Sequence, residues 1–217
     1  MKKVIAEFVA TFIMLLLILE CAVRFPGSHP QLDLFMASLV AGAAVTTLIR
    51  VFGKVSGAHM NPAVSAAMWL DRQLSWRMFL GFLVAQLGGS LFAAFIIDTI
   101  HGSGYHMGNT TPAVSGSTAW LCEFVLTFIL LAVIYIFTDA RYPKLNRFAP
   151  EAIGVTVFLE IYFAGNITGA SMNPARSFGP AVVSHFTGFL WIFFTATFAG
   201  AIVVQQLNRL RKARSSN

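Results

Sequence analysis

Two short stretches of the chain place an asparagine, a proline and an alanine in the same small-residue context. The first runs from Ser56 to Ala63 and the second from Thr168 to Arg176, and both follow the pattern [Ser/Thr]-Gly-Ala-x-Met-Asn-Pro-Ala. An asparagine side chain can cap a helix, and proline is preferred at the first helical position because no amide hydrogen is needed there. Each stretch therefore predicts a loop that turns into the N-terminus of a helix.

Both loops carry groups that can hydrogen-bond a neutral solute. The asparagine amides can donate to a passing oxygen, and the loop carbonyls can accept from a hydroxyl group. The apolar runs that follow, Val64–Trp69 and Ser177–Val183, are too short to cross a bilayer. The predicted motif residues are Asn61, Pro62, Ala63, Asn173, Pro174 and Ala175, and the predicted solute-facing carbonyls belong to Gly57, Ala58, His59, Gly169, Ala170 and Ser171.

The composition indicates an integral membrane protein. The 217 residues are 57% hydrophobic and 11% charged, whereas a soluble domain is about 25% charged. The net charge of +6 does not indicate a nucleic-acid partner, because the charges lie between apolar spans and not on one basic face. The two cysteines, Cys21 and Cys122, form no metal or redox motif, so no metal and no cofactor are predicted. No catalytic grouping or phosphate-binding loop is visible, so no enzyme is predicted.

Six apolar segments of about 20 residues predict six transmembrane helices. They are Val4–Val23, Leu34–Phe52, Met78–Ile97, Trp120–Phe137, a fifth that begins with Ala152–Ala164, and Phe189–Leu207. The segment Ala6–Phe12 is echoed by Cys122–Phe128, each with a Glu-Phe-Val-x-Thr-Phe pattern. The chain is therefore interpreted as one domain, residues 1–217, with internal repeats over about residues 1–110 and 117–217.

The distribution of basic residues predicts the orientation. All but Arg24 and Arg176 of the 15 lysines and arginines lie at the two termini, between the second and third spans, or between the fourth and fifth. Because basic residues accumulate on the cytoplasmic side, both termini are predicted to be cytoplasmic, in a plasma or inner membrane. Each half contains three spans, an odd number, so the second half is inverted in the membrane relative to the first. The two Asn-Pro-Ala loops should therefore enter from opposite faces.

Irregular backbone at membrane depth persists only where protein buries it or where it lines water. Two re-entrant loops from opposite faces are expected to meet near the midplane, with the positive ends of their half-helices at a shared cavity. Such a cavity disfavours cations and admits neutral polar solutes. The sequence thus predicts an all-α membrane protein with six transmembrane helices, two re-entrant half-helices and an inverted repeat.

Over nearly its full length the chain resembles the aquaporin, or major intrinsic protein, family. The resemblance is carried by the twin Asn-Pro-Ala loops, by Ser-Gly-Ala-His before the first, by Asn-Pro-Ala-Arg-Ser-Phe-Gly-Pro at the second, and by Glu7 and Glu123. It implies a homotetramer with one pore per subunit. It also implies that Glu7 and Glu123 hold the re-entrant loops by accepting from their amides. A proton relay is the alternative role for these two acids.

The family's outer selectivity filter has four positions. Counting from the motifs places them at Ala41, Ile161, Ala170 and Arg176. Water-selective members carry an aromatic residue and a histidine where this chain has Ala41 and Ile161. The small, aliphatic ring with one arginine resembles that of the plant nodulin-like intrinsic proteins, which carry boric acid and other metalloid hydroxides. By contrast, Ser177 after the filter arginine resembles water channels rather than glycerol facilitators.

The leading hypothesis is a passive channel for small neutral hydroxylated solutes (boric acid, arsenite, glycerol or urea) and water, which excludes ions and protons. A water-selective channel of the same fold is the first alternative. A proton-coupled secondary transporter is the second, because inverted repeats with broken helices also build transporters. The predicted partners are the solutes, water and the lipid bilayer.

Three further polar residues have open or structural interpretations. Glu160 neighbours Ile161, and a structural role and contact with the solute both stay open for it. His59 is interpreted as a packed structural residue in preference to a pH gate. Gln86 is interpreted as a helix-packing residue.

Overall fold

The computed structural model describes residues 1–25, 29–102 and 107–214, which form nine helices and no strand. The helices are α1 (Lys2–Arg24), α2 (Pro30–Ser56), α3 (Pro62–Leu70), α4 (Trp76–His101), α5 (Gly116–Phe137), α6 (Pro143–Asn146), α7 (Ala149–Thr168), α8 (Pro174–Val183) and α9 (Leu190–Arg214). The other residues of the predicted domain 1–217 lie outside the described ranges. Among the helices described, α1, α2, α4, α5 and α9 are long and apolar enough to cross a membrane. Helix α7 has 20 residues but includes Glu151 and Glu160.

The long helices extend beyond the apolar runs that predicted them. The fifth span was predicted from Ala152, but α7 begins at Ala149, with a proline in its first turn. The sixth was predicted to end near Leu207, but α9 continues to Arg214. Long polar side chains reach water from the last turns of a helix, so an apolar run is shorter than the helix that contains it. The basic link between the fourth and fifth spans also contains the short helix α6, which the sequence analysis did not predict.

The same order of elements occurs twice. Helices α1, α2, α3 and α4 correspond to α5, α7, α8 and α9, and α1 packs on α4 as α5 packs on α9. Both pairs cross at a glycine. A Cβ atom at Gly89 would lie 2.6 Å from the carbonyl oxygen of Phe8, and one at Gly200 would lie 2.6 Å from that of Phe124. Phe8 and Phe124 hold equivalent places in the echoed segments. The boundaries of the sequence repeats themselves stay a prediction.

The outer surface of the bundle is apolar, as a bilayer requires. Val84 on α4 and Phe163 on α7 are 72% and 73% exposed, whereas Phe82 and Phe193 are buried in the interior. Soluble proteins rarely expose large contiguous apolar patches. The outward-facing side chains therefore indicate contact with lipid.

Ion pairs join the helix ends on the side of the bundle where α3, α5 and α9 finish, which we call the basic end. Lys212 on α9 lies 3.2 Å from the carboxylate of Asp71, the residue that follows α3. Arg141 and Arg211 contact Asp139 at 2.7 and 2.8 Å. Hydrogen bonds from Arg141, and the nearby charge of Arg211, hold the pKa of Asp139 well below its usual range. These contacts fix the end of α9 against the half-helix α3 and the end of α5.

The glycine crossings give the first prediction. Replacing Gly89 or Gly200 with valine would place side-chain atoms against backbone of the facing helix, and we expect a loss of about 1–3 kcal/mol of stability. Thermal unfolding of the purified protein in detergent measures it. Gly188→Ala is the control, because a Cβ atom there meets nothing within 4 Å. Unchanged unfolding temperatures for both valine variants would show that the crossings are not closely packed.

Candidate pore between the two half-helices

Both half-helices begin at the asparagine of an Asn-Pro-Ala motif. The Oδ1 atom of Asn61 accepts from the amide of Ala63 at 2.9 Å, and that of Asn173 accepts from the amide of Ala175 at 3.0 Å. A proline follows each cap as the first helical residue. The helix starts predicted from the sequence are therefore confirmed.

The side-chain amides of the two asparagines join the loops to each other. The Nδ2 atom of Asn61 donates to the carbonyl oxygen of Met172 at 2.8 Å, and that of Asn173 donates to the carbonyl oxygen of Met60, also at 2.8 Å. An amide nitrogen carries two hydrogens, so one hydrogen of each asparagine remains for another acceptor. This reciprocal pair brings the N-termini of α3 and α8 together in the middle of the bundle.

The two loops share an unusual backbone. Gly57 and Gly169 have φ angles of +99° and +89°, and Ala58 and Ala170 have φ angles of +48° and +41°. The methionine before each asparagine also has a positive φ. Positive φ is uncommon for residues other than glycine, and such strain costs about 1–3 kcal/mol per residue. Loops of this shape therefore need strong partners to persist.

Glu7 provides these partners for the first loop. Its Oε1 atom accepts from the Ser56 hydroxyl at 2.6 Å and from the amide of His59 at 2.9 Å. Its Oε2 atom accepts from the amide of Met60 and from the side-chain amide of Gln86, both at 2.8 Å. Glu7 is fully buried. The sequence analysis assigned Gln86 to helix packing only, because a contact between α1 and α4 leaves no local signal.

Glu123 contacts the second loop in the same way. Its Oε1 atom accepts from the Thr168 hydroxyl at 2.7 Å and from the amide of Ser171 at 2.9 Å. Its Oε2 atom accepts from the amide of Met172 at 2.9 Å. These are the contacts that a loop-holding role requires of the two glutamates.

His59 is held within a polar network beside the first loop. Its Nδ1 atom lies 3.0 Å from the hydroxyl of Ser65, which also accepts from Gln86 at 2.9 Å. Its ring meets the ring of Phe82 edge-on, with 5.4 Å between the centroids. This environment fits the packed structural role that the sequence analysis favoured.

A cavity of about 300 Å³ lies between the half-helices and the long helices. Its lining includes all six loop residues predicted to present carbonyls, both motif asparagines and all four predicted filter residues. The motif prolines and alanines are buried behind it and, like Glu7, Glu123 and Glu160, are not among the described residues that line it. This arrangement favours a structural role for Glu160 over contact with a solute, because its neighbour Ile161 lines the cavity and Glu160 does not.

The wall opposite the loops is apolar. Helices α2 and α7 each contribute a row at four-residue spacing, which on a helix places side chains on one face. The rows are Ala37, Ala41, Val45 and Ile49 on α2, and Ala149, Ile153, Val157 and Ile161 on α7. Met14 and Ile18 of α1 and Leu130 and Ile134 of α5 extend this wall. The cavity lining is therefore polar where the two loops form it and mostly apolar where the helices form it.

Arg176 is the cationic residue of the cavity lining. It lies in the first turn of α8, and its Nη1 atom donates to the carbonyl oxygen of Gly108 at 2.5 Å. The other predicted filter residues, Ala41, Ile161 and Ala170, come from α2, α7 and the second loop. Sequence reasoning missed the contact with Gly108, because that glycine lies 68 residues from Arg176 in a link rich in Gly, Ser and Thr.

Comparison with known proteins identifies the family. The sequence matches the family described as Major intrinsic protein (MIP) over residues 1–207. The chain belongs to this family. Aquaporin NIP3-1 of Arabidopsis thaliana is 37% identical over 214 residues, an alignment that covers 93% of this chain and 64% of that protein. Aquaporin-4 of Mus musculus is 34% identical over 212 residues, covering 95% of this chain and 66% of that protein. The chain thus spans just under two thirds of the length of these two relatives.

The fold is similar to that of a solved member of the family. The X-ray structure of the aquaglyceroporin from Plasmodium falciparum superposes with a TM-score of 0.83 over 94% of this chain and 93% of that one, at 24% identity. This likeness confirms the predicted all-α membrane fold. The family and the apolar helices together make the protein a multi-pass membrane protein.

The Glu7 network gives a second prediction. Replacing Glu7 with glutamine turns one acceptor atom into a donor that faces N–H groups, and each unsatisfied buried donor costs about 1–3 kcal/mol. We expect a clear drop in thermal unfolding temperature in detergent. Glu20→Gln is the control on the same helix, because Glu20 forms partly exposed pairs with Arg24 and with His101 of α4, and partly exposed pairs contribute about 0–1 kcal/mol each. Equal unfolding temperatures for the two variants would contradict the loop-holding role.

Proposed function

We propose that this protein is a passive channel for small neutral hydroxylated solutes and water. The observation that carries the proposal is the two-sided cavity: loop carbonyls, two asparagine amides and one arginine face an apolar wall. The hydroxyl groups of a solute can form hydrogen bonds with the polar lining, while the rest of the solute contacts the apolar wall. The proposal includes no catalytic step.

The predicted filter favours solutes larger than water. Ala41, Ile161 and Ala170 are small or aliphatic, and Arg176 is the polar member of this ring. Because no aromatic side chain of the ring narrows it, we assign Ala41, Ile161, Ala170 and Arg176 as a wide filter. Boric acid, arsenite, glycerol and urea are the solutes that suit a wide ring with one fixed donor.

Two features support exclusion of ions and protons. The N-termini of α3 and α8 meet at the cavity, and each carries the equivalent of about half a positive charge. Arg176 adds a full positive charge at the filter. Cations that enter the cavity would lose water and meet positive potential, whereas neutral solutes lose little.

A proton-coupled transporter is less well supported. In the described part of the chain no aspartate or glutamate lines the cavity. Both carboxylate oxygens of Glu7 and of Glu123 accept hydrogen bonds from loop groups. Acids engaged in this way are better suited to hold the loops than to carry protons along the pore.

Ser177, which resembles water channels in the sequence, has a structural environment. Its hydroxyl lies 2.6 Å from that of Ser171 and accepts from Thr110 at 2.7 Å. Ser177 is fully buried and does not line the cavity among the described residues. It therefore gives little support to a water-selective channel over a solute channel.

The test is stopped-flow light scattering on proteoliposomes, comparing water with boric acid, glycerol and urea. We expect rapid entry of boric acid or glycerol in the wild type. In the variant Ala41→Trp plus Ile161→His, we expect solute permeability to fall about tenfold or more, a barrier increase of about 1.4 kcal/mol, while water flow persists.

A matched control places similar bulk on the lipid-facing surface. Val84→Trp plus Phe163→Trp changes two highly exposed positions on α4 and α7, so solute and water permeability should both remain. A wild type that passes water alone would overturn the wide filter in favour of a water-selective channel. Solute entry that follows an imposed proton gradient would favour the coupled transporter.

The same proposal includes the membrane arrangement. We infer that the basic end is cytoplasmic, with both termini on that side of a plasma or inner membrane, and that four copies assemble with one pore each. Basic residues near span ends favour the cytoplasmic side. A fluorescent protein that is fused to the C-terminus should therefore fluoresce in the cytoplasm. Alkaline phosphatase that is fused at the same point should be inactive. Active alkaline phosphatase would reverse the orientation.

A further inference from the structure

Glu160 is a buried acid that the proposed pore does not use. It lies on α7, is 7% exposed, and does not line the cavity. Neither of its carboxylate oxygens has a hydrogen-bond partner among the described residues. A buried ionised carboxylate without a partner is strongly disfavoured in a membrane interior. Its chemistry therefore requires an explanation.

The titratable groups around Glu160 come from α5. Helix α5 packs against α7 and carries the Glu123 carboxylate, whose charge acts on Glu160, and the neutral thiol of Cys122. Arg176 interacts in turn with Glu123. On the α2 side, Arg50 pairs with Glu151 at the other end of α7, about 13 Å along the helix from Glu160. Ionised Glu160 would thus place a second negative charge beside Glu123, with Arg176 as the nearby cation.

The internal repeat shows a difference at this point. Glu7 accepts from four donors, and the fourth is Gln86. Gln86 lies three residues before the crossing glycine Gly89, and the equivalent residue of α9 is Thr197, three before Gly200. Thr197 donates to a carbonyl of its own helix, at 2.6 Å. Among the described residues, Glu123 therefore has three donors where Glu7 has four.

We propose that Glu160 retains its proton and serves as the fourth donor to Glu123, so that the two carboxyl groups share one negative charge. The proposal requires a different Glu160 rotamer or one bridging water molecule, because no direct hydrogen bond joins the two side chains among the described residues. Glu123 keeps the charge because three N–H and O–H groups donate to it, and such bonds stabilise the ionised form. Glu160 keeps the proton because nothing in the described structure donates to it.

This pair connects pH to the filter. Glu123 holds the amides of Ser171 and Met172, which lie between the proposed filter residues Ala170 and Arg176. Loss of the Glu160 proton would set two carboxylates against each other and displace Glu123 from the loop. Glu160 is then a positioning residue, and solute flow should be maintained at neutral pH and lost as the pH rises through the titration of the pair.

Infrared difference spectroscopy tests the proton directly, without any flux measurement. At neutral pH the wild type should show the carbonyl stretch of a protonated carboxylic acid, and Glu160→Gln should lack it. Glu151→Gln, which removes a carboxylate from the same helix at its paired, exposed end, should retain the band. A band that persists in Glu160→Gln, or is missing from the wild type, overturns the proposal.

The second arm measures permeability and rests on the proposed channel function. Glycerol and water are the probes, because neither changes charge between about pH 5 and pH 10, the range over which buried glutamates titrate. We expect wild-type permeability to fall severalfold at the alkaline end and to recover on return to neutral pH. Glu160→Gln keeps a neutral donor, so it should conduct as the wild type does at neutral pH and show no alkaline loss.

Glu160→Met separates the donor from the bulk of the side chain. It should conduct less than Glu160→Gln at every pH, because Glu123 then lacks its fourth donor. Equal, pH-independent permeability of the wild type and both variants would overturn the positioning role. If no variant and no wild-type sample conducts, the channel proposal fails, while the infrared result still decides whether the pair shares one proton.

Discussion

The structure depends on one constraint: peptide groups that leave the helix inside a membrane must find partners there. In hydrocarbon each unsatisfied backbone group costs several kcal/mol, on the order of the whole stability of a small domain. Two loops of this protein meet that constraint with buried carboxylates. Glu7 and Glu123 accept the loop amides, and the strained left-handed backbone can persist because these charged acceptors hold it. Burying two acids costs free energy, but the loops can persist inside the membrane only with such acceptors.

In the described part of the chain, most carbonyl groups of the two loops accept no hydrogen bond. The amides of His59, Met60, Ser171 and Met172 contact Glu7 and Glu123, and the loop residues predicted to present carbonyls line the cavity. The exceptions are the carbonyls of Met60 and Met172, which accept from the opposite asparagine and so join the two loops. A row of acceptor-bearing residues along the cavity thus accompanies the arrangement that satisfies the loop donors. Support of the backbone and the proposed contact with the solute are two consequences of one arrangement.

Local chemistry could be predicted from the sequence, whereas contacts between distant segments could not. The capping asparagine and the first-turn proline are consecutive in the sequence, so the starts of α3 and α8 could be predicted. Counting from the motifs placed Ala41, Ile161, Ala170 and Arg176, and the structure brings all four to one cavity. The donors from Ser56 and Gln86 to Glu7, and the acceptor at Gly108 for Arg176, depend on how helices cross. Helix ends were underestimated because apolarity stops before helical hydrogen bonding does.

The internal repeat relates the four proposed filter residues to four counterparts in the other half of the cavity. Moved by the 112-residue spacing of the motifs, the filter residues Ile161, Ala170 and Arg176 fall on Ile49, Ala58 and Val64, and Ala41 falls on Ile153. These counterparts line the same cavity, toward its basic end. Each ring contains one alanine from a loop and one isoleucine from the wall. The second wall residue is Ala41 in one ring and Ile153 in the other. The main chemical difference is that Arg176 in the first ring corresponds to Val64 in the second. In the proposed channel a solute would meet similar apolar surface at both ends but a charged donor at one. Under that proposal, discrimination between solutes arises at the arginine ring, while the valine ring limits size alone.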